Sequence, residues 1–122
     1  MSMIPRLYIL VRRDLNIPFG KAMVQVAHAM ENVLEKAHRD INRRVVLAAY
    51  LQSELRTKIC LAVDSEEQLR DIYRECQARW LTSHLVTDAG LTVFKEPTVT
   101  TLAIGPLRMN ERPMAIRKLD TY

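Results

Sequence analysis

Apolar positions along the chain follow two different periods, and the switches between them mark out alternating strands and helices. Residues 7–11 form a short, unbroken, β-favouring run closed by Arg12, Arg13 and Asp14, as expected of a buried first strand. A loop over 15–20 follows, broken by Pro18 and Gly20. From Lys21 onward Met23, Val26, Ala27, Met30, Val33 and Leu34 recur at helical intervals, which predicts a long amphipathic helix to about His38 with these residues as its core face. Residues 40–55 carry Val45, Val46, Ala49 and Leu51 without a breaker and predict a second helix.

The period then returns to two. Over 57–63, Ile59, Leu61 and Val63 alternate with Lys58, Cys60 and Ala62, the pattern of a strand. Ser65-Glu66-Glu67-Gln68 matches a capping box, and Leu69, Ile72, Tyr73 and Cys76 continue a helical stripe behind it. Residues 82–87 predict a third strand, and 98–104, rich in Thr, Val, Leu and Ile, a fourth that stops at Gly105-Pro106. Strands alternating with helices indicate a layered α/β domain. The tail, 107–122, contains Pro113 and has room for one short helix.

Composition narrows the class. A chain of 122 residues fits one hydrophobic core, so a single domain over 1–122 is expected. With 48% hydrophobic and 26% charged residues, 3 Gly and 5 Pro, disordered and low-complexity classes are excluded. No apolar run approaches the roughly 20 residues that span a bilayer, and the first residues do not read as a signal peptide, so no membrane association and a cytosolic location are expected. Cys60 and Cys76 fall at apolar strand and helix positions and are expected as two buried thiols rather than a disulfide. The net charge of +4 and pI near 9.3 permit a polyanionic partner without identifying one. Arg12, Arg13, Arg43, Arg44, Arg112, Arg117 and Lys118 are scattered, which equally describes a solvated basic surface.

Two groups of residues are candidates for chemistry. Lys21, Gln25, His28 and Asn32 fall within one narrow helical stripe, opposite the Met23/Met30 face. Spacing alone fits a polar outer face, but a cation, an amide and an imidazole converge where an ordinary surface would alternate Glu and Lys. The second group, Asp88-Ala89-Gly90-Leu91-Thr92, directly follows a predicted strand, where α/β proteins commonly carry their sites. Gly90 permits a turn that brings Asp88 and Thr92 towards one spot, and a plain Asp turn fits the same residues. Trp80 and Tyr73 are able to stack on a base, but both fit helix-end packing better.

Together these segments resemble one family. Gly20-Lys21, Gln25 and His28-Ala29 stand as in the G-K-x-x-x-Q-x-x-H-A helix start of the type 2 peptidyl-tRNA hydrolases. Asp88-Ala89-Gly90 with Thr92 is similar to their D-A-G-x-T turn, and residues 98–106 resemble their closing T-x-T-x-L-x-I-G-P strand. The stretch 58–69 also resembles the family's second strand and capped helix, so the resemblance covers a core of 7–106 in order. It implies a three-layer α/β/α domain with a four-stranded mixed sheet, often as a homodimer, acting on peptidyl-tRNA. It also implies a site without metal or cofactor, in which Lys21, Asp88 and Thr92 are catalytic and Gly20, Gln25, His28, Thr98 and Thr100 bind substrate. Asp88 would orient or deprotonate water, directly or through the Thr92 hydroxyl, while Lys21 stabilises developing negative charge.

Three positions depart from the family pattern. Leu91 stands where an arginine is usual, Glu96-Pro97 where a glycine commonly precedes the last strand, and Pro113 interrupts the usual terminal helix, leaving 107–122 an atypical tail. Without the arginine, phosphate is gripped less firmly or by other residues. Two alternatives stay open on sequence alone: a non-catalytic tRNA- or protein-binding module of the same fold, and a hydrolase of another acyl ester or of aminoacyl-tRNA.

Overall fold

The computed structural model describes residues 4–122. Strand β1 (Arg6–Arg12) leads through a 3-10 turn into helices α1 (Phe19–Arg39) and α2 (Arg44–Gln52), then strand β2 (Lys58–Val63) and helix α3 (Glu66–Ala78). Strands β3 (Ser83–Asp88) and β4 (Thr98–Leu107) follow, and the 3-10 turns Met109–Glu111 and Met114–Lys118 lie beyond them. The strands form one sheet in the order β2-β1-β4-β3, with β1 parallel to β2 and β4 antiparallel to β1 and β3. Parallel neighbours need a long crossover, which α1 and α2 provide.

Alternation along the strands divides the core into two layers. Tyr8, Leu10, Leu61, Val63, Leu102 and Ile104 meet Leu69, Ile72 and Cys76 of α3. Leu7, Ile9, Val11 and Ala103 meet Ala22, Ala29 and Val33 of α1 and Tyr50 of α2 on the other face. The sheet is therefore covered on both sides, which accounts for the unbroken apolar run of β1. Cys60 and Cys76 are free and belong to opposite layers, and burial pushes the Cys76 thiol up to about 12. No helix among the described residues is long and apolar enough to cross a membrane.

Helix α3 starts at the predicted Ser65 cap, but the reciprocal bond of the expected capping box falls one residue earlier, on Asp64 instead of Ser65. The Ser65 hydroxyl accepts from the Gln68 N–H at 3.0 Å, and the Gln68 side chain accepts from the backbone of Asp64 at 2.7 Å.

Helix α1 is turned differently from its hydrophobic pattern. Ala22, Gln25, Ala29, Val33 and Ala37 are buried, whereas Met23 is 58% exposed and Ala27 also faces solvent. At 100° per residue, the inward face lies about a quarter turn from the predicted one. Small side chains explain the difference. Alanines let the helix backbone approach the fully buried Thr101 and Ala103 of β4, and the larger methionines are displaced to its flank.

Four further expectations are corrected. Strand β4 does not end before Gly105-Pro106 but runs to Leu107, because the pairing with β1 skips a position there and leaves Pro106 without a ladder hydrogen bond to donate. Trp80 does not pack: it is 85% exposed. Arg12 is buried and Arg43 mostly so, their guanidinium groups bonded to Asp14 and Glu111, so neither belongs to a solvated basic surface. The tail holds two 3-10 turns instead of one helix. It then returns to the free edge of β2, where Thr121 bridges Leu61 and Ala62 donates to the Asp120 carbonyl at 2.8 Å.

Candidate active site

The first turn of α1 and the end of β3 meet above the sheet. Lys21 Nζ lies 2.6 Å from Asp88 Oδ2 and donates to Thr92 Oγ1 at 3.2 Å. Gln25, one turn further along α1, donates from Nε2 to the same carboxylate oxygen at 3.1 Å. The i, i+4 spacing read from sequence thus aims a cation and an amide at one carboxylate.

Strand β4 holds the amide in place. Thr100 Oγ1 donates to Gln25 Oε1 at 2.6 Å, and Thr101 Oγ1 donates to Thr100 Oγ1 at 3.2 Å. Both threonines are fully buried. Adjacent strand residues ordinarily point to opposite faces, but here the register jumps: Val86 pairs with Thr101 and Thr87 with Val99. Thr100 is the extra residue of a β-bulge, which turns it towards α1 beside Thr101. Thr101 is the participant that the sequence did not reveal. Its signal was present, because two consecutive threonines within an apolar strand break the two-residue alternation.

The turn after β3 holds the other carboxylate oxygen. Gly90 N–H donates to Asp88 Oδ1 at 2.9 Å. Gly90 has φ of +81°, and a Cβ there would run into the Glu96 backbone carbonyl, so a side chain is excluded twice. Asp88, only 8% exposed, consequently has its carboxyl held below the usual carboxylate range, first by the Lys21 hydrogen bond and then by the Gly90 N–H, with Gln25 adding to both. It is a carboxylate near neutral pH.

The remaining sequence candidates take different places. Thr98 is the cross-strand neighbour of Asp88, although its hydroxyl donates to the Glu96 carbonyl at 2.8 Å. Gly20 is exposed at the start of α1 with nothing within 4 Å of an added Cβ, leaving open space beside Lys21. His28 is exposed and stays outside the cluster; its carbonyl accepts from the Asn32 side chain at 2.8 Å. Leu91 is 86% exposed on the turn. Among the described residues no group of three His, Cys, Asp or Glu is placed to hold a metal ion.

The arrangement is an ionised carboxylate fixed by three donors next to a partly exposed ammonium and hydroxyl. It can orient a water through Asp88 or Thr92 and oppose negative charge through Lys21. A family model described as Peptidyl-tRNA hydrolase PTH2 matches residues 5–122. The chain is 37% identical over 106 residues to a peptidyl-tRNA hydrolase of Methanopyrus kandleri and 33% identical over 101 residues to one of Methanocaldococcus jannaschii. These stretches cover 84% and 83% of this chain and 85% of each relative. A peptidyl-tRNA hydrolase of Halobacterium salinarum is 36% identical over 98 residues, covering 80% of this chain and 82% of the relative.

Proposed function

The chain belongs to the PTH2 family of peptidyl-tRNA hydrolases and hydrolyses the ester between peptide and tRNA, and from that premise we propose that Lys21, Asp88 and Thr92 carry the reaction. The observation that supports this is the 2.6 Å Lys21–Asp88 pair within the Gln25–Thr100–Thr101 network. Asp88 orients the attacking water, assisted by the Thr92 hydroxyl, and Lys21 stabilises the oxyanion as the carbonyl becomes tetrahedral. The proton leaving the water passes through Asp88 to the ribose oxygen as the ester bond breaks, giving free tRNA and an N-blocked amino acid or peptide. Gln25, held by the buried Thr100, positions Asp88, while the open side at Gly20 and the start of β4 at Thr98 receive the substrate. His28 contributes through substrate contacts outside the hydrogen-bonded cluster.

The non-catalytic alternative has no observation in its favour. A tRNA-binding surface, a cytoplasmic location and a homodimer complete the proposal. The dimer is supported by the family resemblance and by the flank of α1 that its quarter turn leaves exposed: Phe19, Met23, Val26 and Met30 line an apolar groove of about 300 Å³ with Cys60 and Tyr122. A second copy applying the same patch about a twofold axis would cover it. Met23→Glu is expected to give a monomer in sedimentation equilibrium, and an unchanged mass would remove this interface.

The test of the activity offers purified protein an N-blocked aminoacyl-tRNA beside the unblocked form and follows release of tRNA. Cleavage of the blocked ester by wild type, lost in Asp88→Asn and Lys21→Ala, is expected. Equal turnover by both variants would remove these residues from the mechanism.

A further inference from the structure

A second cleft lies at the far end of α1, about 22 Å from Lys21 at 1.5 Å per residue along the helix to Lys36. It has a volume of about 340 Å³, within the roughly 300–1,000 Å³ of small-ligand pockets, and is lined by Lys36, Asp40, Tyr73, Gln77, Trp80 and Thr82 among others. None of these belongs to the hydrolytic site.

Trp80 occupies this cleft against local preference. Helix α3 ends in a Schellman motif: Leu81 N–H donates to the Cys76 carbonyl at 2.9 Å and Trp80 N–H to that of Gln77 at 3.2 Å. The residue at the turn of that motif adopts a left-handed backbone and is usually glycine, yet here it is tryptophan at φ of +58°. Its ring is 85% exposed, so neither core packing nor backbone preference accounts for it. Thr82, which also lines the cleft, is 9% exposed, and its Oγ1 is buried without a hydrogen-bond partner among the described residues, as few buried polar groups are. Among the described residues, Lys36 Nζ reaches only the Ser83 carbonyl, at 3.4 Å.

We infer that this cleft receives an unpaired nucleotide of the tRNA, remote from the terminal adenosine, with its base stacked on Trp80 and its phosphate at Lys36. The inference rests on the peptidyl-tRNA assignment made above. An open indole face suits any nucleobase. Asp40 accepts from exocyclic amino groups, and Gln77 both donates and accepts along a base edge. The carboxylate of Asp40 keeps the phosphate on the Lys36 side. A peptide lacks the phosphate that Lys36 would meet.

Trp80 is the sole tryptophan, so intrinsic fluorescence reports this cleft alone. Deacylated tRNA is expected to quench it over the concentration range of its competition with substrate. Trp80→Gly removes the ring while relieving the left-handed backbone, so the variant is expected to fold with an equal or higher Tm. Its KM for an N-blocked aminoacyl-tRNA should rise at least about fivefold, the low end for losing one base–aromatic stack, with kcat unchanged. Trp80→Phe should recover part of the loss, and Lys36→Ala should lower the salt slope of tRNA binding by about one. An N-blocked aminoacyl ester of adenosine alone, too short to reach the cleft, should be cleaved equally by wild type and Trp80→Gly. An unchanged KM for the full substrate, or quenching by a peptide and not by tRNA, overturns the inference and leaves the hydrolase assignment standing. Failure of wild type to cleave either ester would instead strike that assignment.

Discussion

Two cation–carboxylate pairs sit at comparable depth in this protein and differ in what surrounds them. Arg43 and Glu111 meet fork to fork, with contacts of 2.7 and 3.1 Å. Arg43 also donates to the Pro106 carbonyl, and Glu111 accepts from the Arg108 N–H. That pair ties the chain after β4 to the start of α2. Lys21 and Asp88 meet at a point, beside a hydroxyl, a positioned amide and open space at Gly20. A planar guanidinium gripped at two points fixes geometry, whereas an ammonium on a flexible stem keeps donors to offer a changing charge. The first pair is closed on itself, whereas the second leaves donors and open space for the reaction proposed above.

The largest expected effect separates the pairs by rate. Asp88→Asn and Lys21→Ala should each lower kcat/KM by at least about 10²-fold, as positioned electrostatic and proton-transfer groups typically contribute, with circular dichroism unchanged. Arg43→Ala should leave the rate per folded molecule near wild type. Lys21→Arg should recover little activity, since a planar fork does not reproduce the contacts of Nζ to both Asp88 and Thr92.

Stability should show the reverse order. Glu111→Ala should lower unfolding free energy by about 2 kcal/mol in urea titrations, less than for a fully buried pair because its side chain is partly exposed. An equal loss in Lys21→Ala would dissolve the distinction between the pairs.

Both carboxyls titrate below their ordinary range, Asp88 chiefly through Lys21 and Glu111 chiefly through Arg43. A depressed folded-state pKa gives stability that is fully present above the unfolded value, about 4, and is lost as pH falls through the folded value. Denaturation midpoints should therefore decline only below about pH 4. Glu111→Gln should flatten that decline. The acid limb of kcat should likewise begin below about pH 4 and disappear in Asp88→Asn, whose residual rate no longer depends on that carboxyl.

The smallest effect belongs to Leu91. Because it is 86% exposed, Leu91→Arg buries no charge and should leave the Tm unchanged. It should tighten tRNA binding by about 1 kcal/mol at low salt and steepen the salt slope by about one. Loss of folding would contradict the open position of the turn.

Much was legible before any coordinate. The Ser65 cap started α3 where the sequence placed it, the two-residue alternation over 57–63 put Ile59, Leu61 and Val63 in one layer and Cys60 in the other, and the i, i+4 spacing of Lys21 and Gln25 placed them on one stripe. Trp80 was misplaced because aromaticity favours burial on average, while the hydrogen bonds that end α3 put this residue outside the core. His28 shares the stripe of Gln25, but on a cylinder two residues of one stripe need not share neighbours across a curved sheet.

The sequence by itself determined the order of elements and the layered α/β class and singled out Lys21, Gln25, Asp88 and Thr92 as candidates, because periodicity, caps and turns act over a few neighbouring positions. Only tertiary structure decided which way α1 faces, since that depends on how closely alanines allow a helix to approach Thr101 and Ala103. The same holds for the bulge that turns Thr100 towards Gln25, which appears only once β3 and β4 are paired. Burial of Gln25 and the depressed pKa of Asp88 then follow, because both arise from groups distant in the chain and brought together by the fold.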